Sequence, residues 1–174
     1  IMVIEGSESE INKMMRTDNA TGIWNRLKAE EVGQNAVECL AKREGQVFSV
    51  ILMDIDFFKS VNDNYGHDVG DLMLREFSLR NRDALRQNDI MCRWGGEEFI
   101  VILPETLAIE AESIAKRLMN ITKETPFSNG ISLTASYGFT SCAVGEGWKE
   151  CFQRADRALY LAKSAGRNQV VGLP

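Results

Sequence analysis

Histidine is almost absent from this chain: His67 stands alone among 174 residues. One imidazole cannot complete a thiol–imidazole metal site. The four cysteines (Cys39, Cys92, Cys142 and Cys151) are scattered, with no C-x-x-C among them, so a structural zinc motif is excluded. Thiols spaced this way are expected to be free and reduced. Positive charge is also scarce, with 20 Lys and Arg against 25 Asp and Glu, a net charge of −5 and a pI near 5.0. A duplex-binding protein usually carries a basic face, so a nucleic-acid polymer is not an expected partner. A small anion held by a few local cations stays open. No apolar run approaches the ~18 residues of a membrane span, and no signal peptide, internal repeat or low-complexity stretch is present.

What is present is ordinary globular material, 44% apolar and 26% charged, long enough for one domain with a real core and little more. The chain begins with Ile, so it is read as a piece of a longer protein. Residues 1–16 (IMVIEGSESEINKMMR) are polar and mixed, as in a connector or the end of an upstream helix, and residues 17–174 are read as one domain.

Helix is expected from Thr21 to Arg43, with Leu27, Val32, Ala36, Leu40 and Ala41 as an imperfect apolar stripe and Gly45 as its stop. VFSVILMDIDFF (47–58) reads as a strand buried on both faces. A short helix from Lys59 to Tyr65 and a longer one over about 69–86 follow, the latter with Leu72, Phe77, Leu79 and Leu85 inward. IMCRW, two glycines and EFIVILP predict a hairpin. Leu107, Ala111, Ile114, Ala115 and Leu118 predict a helix over 107–119. ISLTASYGFTSC (131–142) is the next strand; Trp148, Phe152, Ala155, Leu159 and Ala162 mark a last helix; NQVVG ends in a short edge strand. The fold class is therefore α+β: a ferredoxin-like βαββαβ core with helices on one face of a mostly antiparallel sheet, plus an extra N-terminal helix and C-terminal strand. Nucleotidyl-transfer palms share that layout, which is an analogy of fold and not of site.

The chemistry gathers at strand ends. Asp54 and Asp56 close an apolar strand, and RWGGEEFIVIL (93–103) sets Glu97 and Glu98 at the mouth of a buried hairpin. The first strand of such a core lies centrally beside the hairpin strand, which lets Asp54 approach Glu97. Clustered carboxylates at buried strand ends are costly unless protonated, paired or metal-bound. Hard oxygen ligands select Mg²⁺, Mn²⁺ or Ca²⁺. Directly after Asp56, FFKSVND turns into a helix whose N-terminal N–H groups can cradle phosphate, with Lys59 adding a full charge. Singly, each residue has a plainer reading: a strand-end turn acid for Asp54, a solvated hairpin tip for Glu97 and Glu98, a solvated lysine for Lys59.

Here the sequence resembles a known family. DIDFFKSVNDNYGHDVGD (54–71) and GGEEF (95–99) look like the GGDEF domain of bacterial diguanylate cyclases. TDNATGIWNR (17–26) resembles that family's D-x-L-T-G-L-x-N-R lead-in, with Ala20 for the usual leucine and Trp24 at the variable position. ADRALYLAKSAGRNQV (155–170) resembles its C-terminal block, so four blocks in order cover 17 to about 172. The resemblance implies condensation of two GTP into cyclic di-GMP with release of two pyrophosphates. It implies Mg²⁺ (or Mn²⁺) held by Asp54, the carbonyl of Ile55 and Glu97, with Glu98 supporting the metal or removing the proton of the attacking hydroxyl. Glu97 in place of Asp keeps the carboxylate. Phe57, Phe58, Gly95 and Gly96 would line the nucleotide and Lys59 would steady its phosphates. Asn62 and Asp71 would read guanine, His67 would assist, and Lys163 and Arg167 would hold the terminal phosphates. Helix capping for Asn62 and Asp71, and a turn role for His67, are the alternatives for those three.

Each domain would hold one GTP, so the resemblance further implies a homodimer about a two-fold axis, an upstream sensory domain and a cytoplasmic location, with a membrane anchor on the parent chain left open. RQND (86–89) matches the family's inhibitory R-x-x-D, with Arg117 as an additional arginine, and implies feedback by cyclic di-GMP; a plain helix-end Arg–Asp pair is the rival. At the level of function, the rivals are an inactive domain that senses GTP or receives cyclic di-GMP, and a cyclase making a mononucleotide from ATP. The first would require loss of Asp54, Lys59, Glu97 or Glu98, all of which are present, and Asn62 and Asp71 disfavour the second.

Overall fold

The computed structural model describes residues 2–42 and 46–174. Gly45, expected to stop the first helix of the domain, lies outside them. Helix α1 (Met2–Met15) occupies the stretch read as a connector or helix end. It is followed by α2 (Arg26–Lys42), β1 (Phe48–Ile55), α3 (Phe58–Tyr65), α4 (His67–Asp83), β2 (Ile90–Gly95), β3 (Glu98–Pro104), α5 (Ala108–Glu124), a 3₁₀ turn at Ser128–Gly130, β4 (Ala135–Cys142), α6 (Trp148–Ser164) and β5 (Val170–Gly172). The expected order of elements therefore holds.

The sheet runs β2-β3-β1-β4-β5, with β1 central and antiparallel to both β3 and β4, and β5 a short parallel edge. Every residue of β1 is buried because helices cover both faces. Alternation along the strand divides the core: Ile51, Met53 and Ile55 face α3, α4 and α5, whereas Phe48, Val50 and Leu52 face α2 and α6. The one-face expectation thus describes the βαββαβ core's own helices, and α2 and α6 close the opposite side.

Two helical stripes differ from expectation. Of Leu72, Phe77, Leu79 and Leu85, only Phe77 is fully buried; Leu72 is exposed, and Leu85 lies beyond α4, which ends at Asp83. The inward row is Gly70, Met73, Leu74, Phe77, Ser78 and Asn81, a true 3.6-residue series that includes polar members. Ser78 and Asn81 tolerate burial by donating to the carbonyls one turn back, Leu74 and Phe77. In α2, Leu27 and Ala41 face solvent, and Ala29, Gly33 and Leu40 are the buried row. The helix also starts later than Thr21, because Asp18 accepts from the N–H and hydroxyl of Thr21 and closes a turn there.

Gly138 on β4 sets the height of α6. A Cβ there would lie 2.1 Å from the backbone nitrogen of Leu159 and 2.6 Å from the carbonyl oxygen of Ala155, so helix and strand touch backbone to backbone. Cys142 and Cys151, expected as free thiols, come together as a disulfide that joins the end of β4 to the first turn of α6. They are nine residues apart, and only the packing of α6 on β4 makes them neighbours. Cys39 and Cys92 remain free.

Candidate active site at the hairpin end of the sheet

Antiparallel pairing sets Asp54 opposite Glu98 on β3 and Ser136 on β4. Directly opposed residues point to the same face of a sheet, so the two acids look toward α6. Lys163, one turn beyond Leu159 on that helix, meets them: its Nζ lies 2.5 Å from Asp54 Oδ2 and 4.0 Å from Glu98 Oε1. Glu97 is in the turn itself, and its carbonyl accepts from the Ile55 N–H at 3.2 Å. The tight turn lies one residue later than the two glycines suggest. Gly95 still pairs with Glu98, while Gly96 (φ 50°) and Glu97 make the reversal. A register shift between Arg93 and Gly95 leaves Trp94 as a bulge, stacked on Phe152 of α6 at 4.5 Å.

Burial pushes the Asp54 carboxyl up to about 6; the Lys163 ammonium pulls the other way, and the charges of Glu97 and Glu98 add to the rise. Among the described residues no three His, Cys, Asp or Glu side chains converge into a ready ligand set. The donor chemistry nevertheless fits a hard divalent cation. A buried carboxylate, a second acid in register and a third in the adjoining turn are short of positive charge, and one lysine meets only part of that shortage.

Asp56 does not join the group. It is buried and accepts from the hydroxyls of Thr134 and Ser136, both at 2.7 Å, and from the Asn168 N–H at 3.0 Å. It thereby pins the segment after α6 beside the start of α3. Arg167 lies in that segment with φ 63°, its guanidinium 4.9 Å from the ring centre of Phe57. Phe57 is exposed, but Phe58 is buried among core side chains, so any contact of Phe58 with a nucleotide would come from its backbone. Lys59 is exposed on the first turn of α3 and forms no ion pair or hydrogen bond among the described residues.

Asn62 on α3 packs against Gly70 of α4 beside Asp71. Capping does not explain either residue: Gly66 is the cap of α4, and Asp71 lies a full turn inside it. His67 is the exposed first residue of α4.

One brace is not legible from the chain's local pattern. Arg93 donates through Nε to the carbonyl of Gly96 at 2.9 Å and through Nη1 to both oxygens of Asp18 at 3.3 and 3.2 Å. Its backbone N–H donates to the carbonyl of Trp24 at 2.8 Å. The lead-in that follows α1 is thus fastened to the β2–β3 hairpin turn. Asp18 lies in TDNATGIWNR and Arg93 in RWGGEEFIVIL, and their separation of 75 positions is what conceals the pair.

The second group is assembled but inwardly engaged. Arg86 Nε and Nη2 reach the two oxygens of Asp89 at 3.2 and 3.1 Å, and Nη2 also reaches Thr106 Oγ1 at 2.6 Å. The Arg86 side chain is half exposed beside a cleft of about 730 Å³. Arg117 donates to the carbonyl of Ala84 at 2.7 Å, on the adjoining helix end.

Residues 15–169 match the family described as "Diguanylate cyclase, GGDEF domain". This chain belongs to the GGDEF domain family. It is 43% identical over 166 residues to the response regulator PleD of Caulobacter vibrioides, which covers 90% of this chain and 36% of PleD. It is 38% identical over 157 residues to the diguanylate cyclase DgcP of Pseudomonas aeruginosa, covering 88% of this chain and 23% of DgcP. The chain therefore spans about a third or less of these relatives. The coiled coil and GGDEF domain of DgcB from Caulobacter crescentus, solved in complex with c-di-GMP, superimposes with a TM-score of 0.92 at 25% identity, over 99% of this chain and 93% of that one. The GGDEF domain described here has that fold from α1 to β5.

Proposed function

We propose that this GGDEF domain condenses two GTP molecules into cyclic di-GMP and two pyrophosphates. The observation that carries the reading is the buried Asp54 set in register with Glu98 at the hairpin turn, with Lys163 beside both. Asp54, the Ile55 carbonyl and Glu97 would hold Mg²⁺ or Mn²⁺. Such a metal lowers the pKa of a ribose hydroxyl and offsets charge on the α-phosphate and leaving pyrophosphate. Glu98 takes the proton from the 3′-hydroxyl. Lys59 and the first turn of α3 receive phosphate oxygens, and Lys163 and Arg167 meet the terminal phosphates. Asp71 accepts from the guanine N1–H and amino group, which adenine lacks, and Asn62 completes the base edge.

The product contains two identical linkages, so two domains face each other as a homodimer, each presenting its nucleophile to the other's nucleotide. Arg86, Asp89 and Arg117 are proposed as the feedback site, since guanidinium forks suit guanine edges and phosphates. An upstream sensory domain and a cytoplasmic location complete the reading. Incubation with GTP or ATP and Mg²⁺, followed by nucleotide chromatography, tests it. Cyclic di-GMP is expected from GTP alone, with Glu98→Gln nearly inactive. No cyclic di-GMP from GTP at high protein concentration would sink the proposal.

A further inference from the structure

Gly70 stands in the interior of α4, where alanine is the favoured residue and glycine weakens the helix. Its backbone is ordinary right-handed helix, with no positive φ to require it. What requires it is space. A Cβ at residue 70 would lie 1.9 Å from Asn62 Oδ1, 3.0 Å from Asn62 Cγ and 3.4 Å from Phe58 Cζ. The missing methyl group is therefore the seat of the Asn62 carboxamide, at the point where α3 and α4 meet. Among the described residues that carboxamide makes no hydrogen bond. It is seated with Oδ1 against Gly70, on a partly exposed residue, beside the position next in the chain to the exposed Asp71.

We propose that Gly70 is a specificity-determining positioning residue: by lacking a side chain it seats the Asn62 carboxamide next to Asp71 for the guanine edge. The inference rests on the GTP-binding reading above. A methyl group at position 70 meets the far end of a side chain with two rotatable bonds. The carboxamide swings out, and the helices need not part. Gly70→Ala should thus keep the fold while losing base recognition, a combination that a purely structural glycine would not give.

The test is calorimetric titration of the wild type, Gly70→Ala, Asn62→Ala and the double variant with GTP and with ATP, alongside thermal melts. Gly70→Ala is expected to melt at or above the wild type and to bind GTP about tenfold or more weakly, as a site with a displaced hydrogen-bonding group does. Its preference for GTP over ATP should narrow. In the Asn62→Ala background the alanine at 70 should cost nothing further, because the group it displaces is gone. Equal GTP affinity of Gly70→Ala and wild type, a lowered melting temperature, or a loss that adds fully to that of Asn62→Ala would each overturn the role given to Gly70. A wild type that binds no GTP would instead refute the guanine site, so the two failures are told apart.

Discussion

Replacing Asp54 by Asn should make the metal-free protein more stable while abolishing synthesis. The carboxyl is raised from 3.8 to about 6, chiefly by burial. At about 1.4 kcal/mol per pH unit, the ionised form in the fold carries roughly 3 kcal/mol of destabilisation. Asparagine keeps the shape and an oxygen for Lys163 Nζ, now at 2.5 Å from Asp54, but loses the ion pair; Lys163 is partly solvated and retains Glu98 at 4.0 Å. A net gain of about 1–2 kcal/mol at pH 7.5 is expected, which for a domain of this size is roughly 2–8 °C in Tm.

The pH dependence follows from the sign. The folded pKa lies above the unfolded one, so the native state binds more protons between 3.8 and about 6, and stability falls as pH rises through that window. Below it both states are protonated and the penalty is absent; above it the penalty is complete. Thermal or denaturant unfolding of wild type and Asp54→Asn in chelator-containing buffer from pH 4 to 8 reads this directly. The two curves should converge near pH 4 and separate by pH 7. A variant less stable than wild type at pH 7.5, or a difference that does not change with pH, would refute the reasoning.

Arg86→Ala should relieve inhibition by added cyclic di-GMP in the cyclase assay, and equal inhibition of variant and parent would remove the feedback site. The same variant should lose about 1–3 kcal/mol of stability in denaturant titrations, because the Asp89 side chain is only 1% exposed and loses its guanidinium partner. Arg93→Ala should lower turnover by about tenfold with little change in GTP affinity, since the Gly96 carbonyl and Asp18 lose their shared tether; Asp18→Ala should behave alike and the double variant no worse. Wild-type kinetics for Arg93→Ala would dismiss the brace. Gly138→Ala should cost more than about 3 kcal/mol in unfolding midpoints, since its methyl meets the backbone of α6 and no flexible side chain can yield.

The amino-acid sequence by itself determined the order of elements, the central all-buried strand, the hairpin and the placement of acids at strand ends. Those features follow from local rules: a short continuous run of apolar β-formers in β1, glycines at a reversal, and helical apolar stripes between them. It also carried the four motif blocks, because each is contiguous. What only tertiary structure decided depends on residues far apart in the chain. The inward row of α4 includes Ser78 and Asn81, which hydropathy assigns to solvent, because α5 packs on that face and brings Thr122 Oγ1 to 3.4 Å from the Asn81 amide; the bonds each side chain makes on its own helix only make that burial tolerable. Asp56 looked like a partner of Asp54 and is instead held by Thr134, Ser136 and Asn168, across separations of 78 to 112 residues. Lys163 reaches Asp54 only because Gly138 lets α6 lie directly on β4. Periodicity reports which side of an element is apolar; which charged groups meet is fixed by register and by how closely the layers approach, and neither is a local property of the chain.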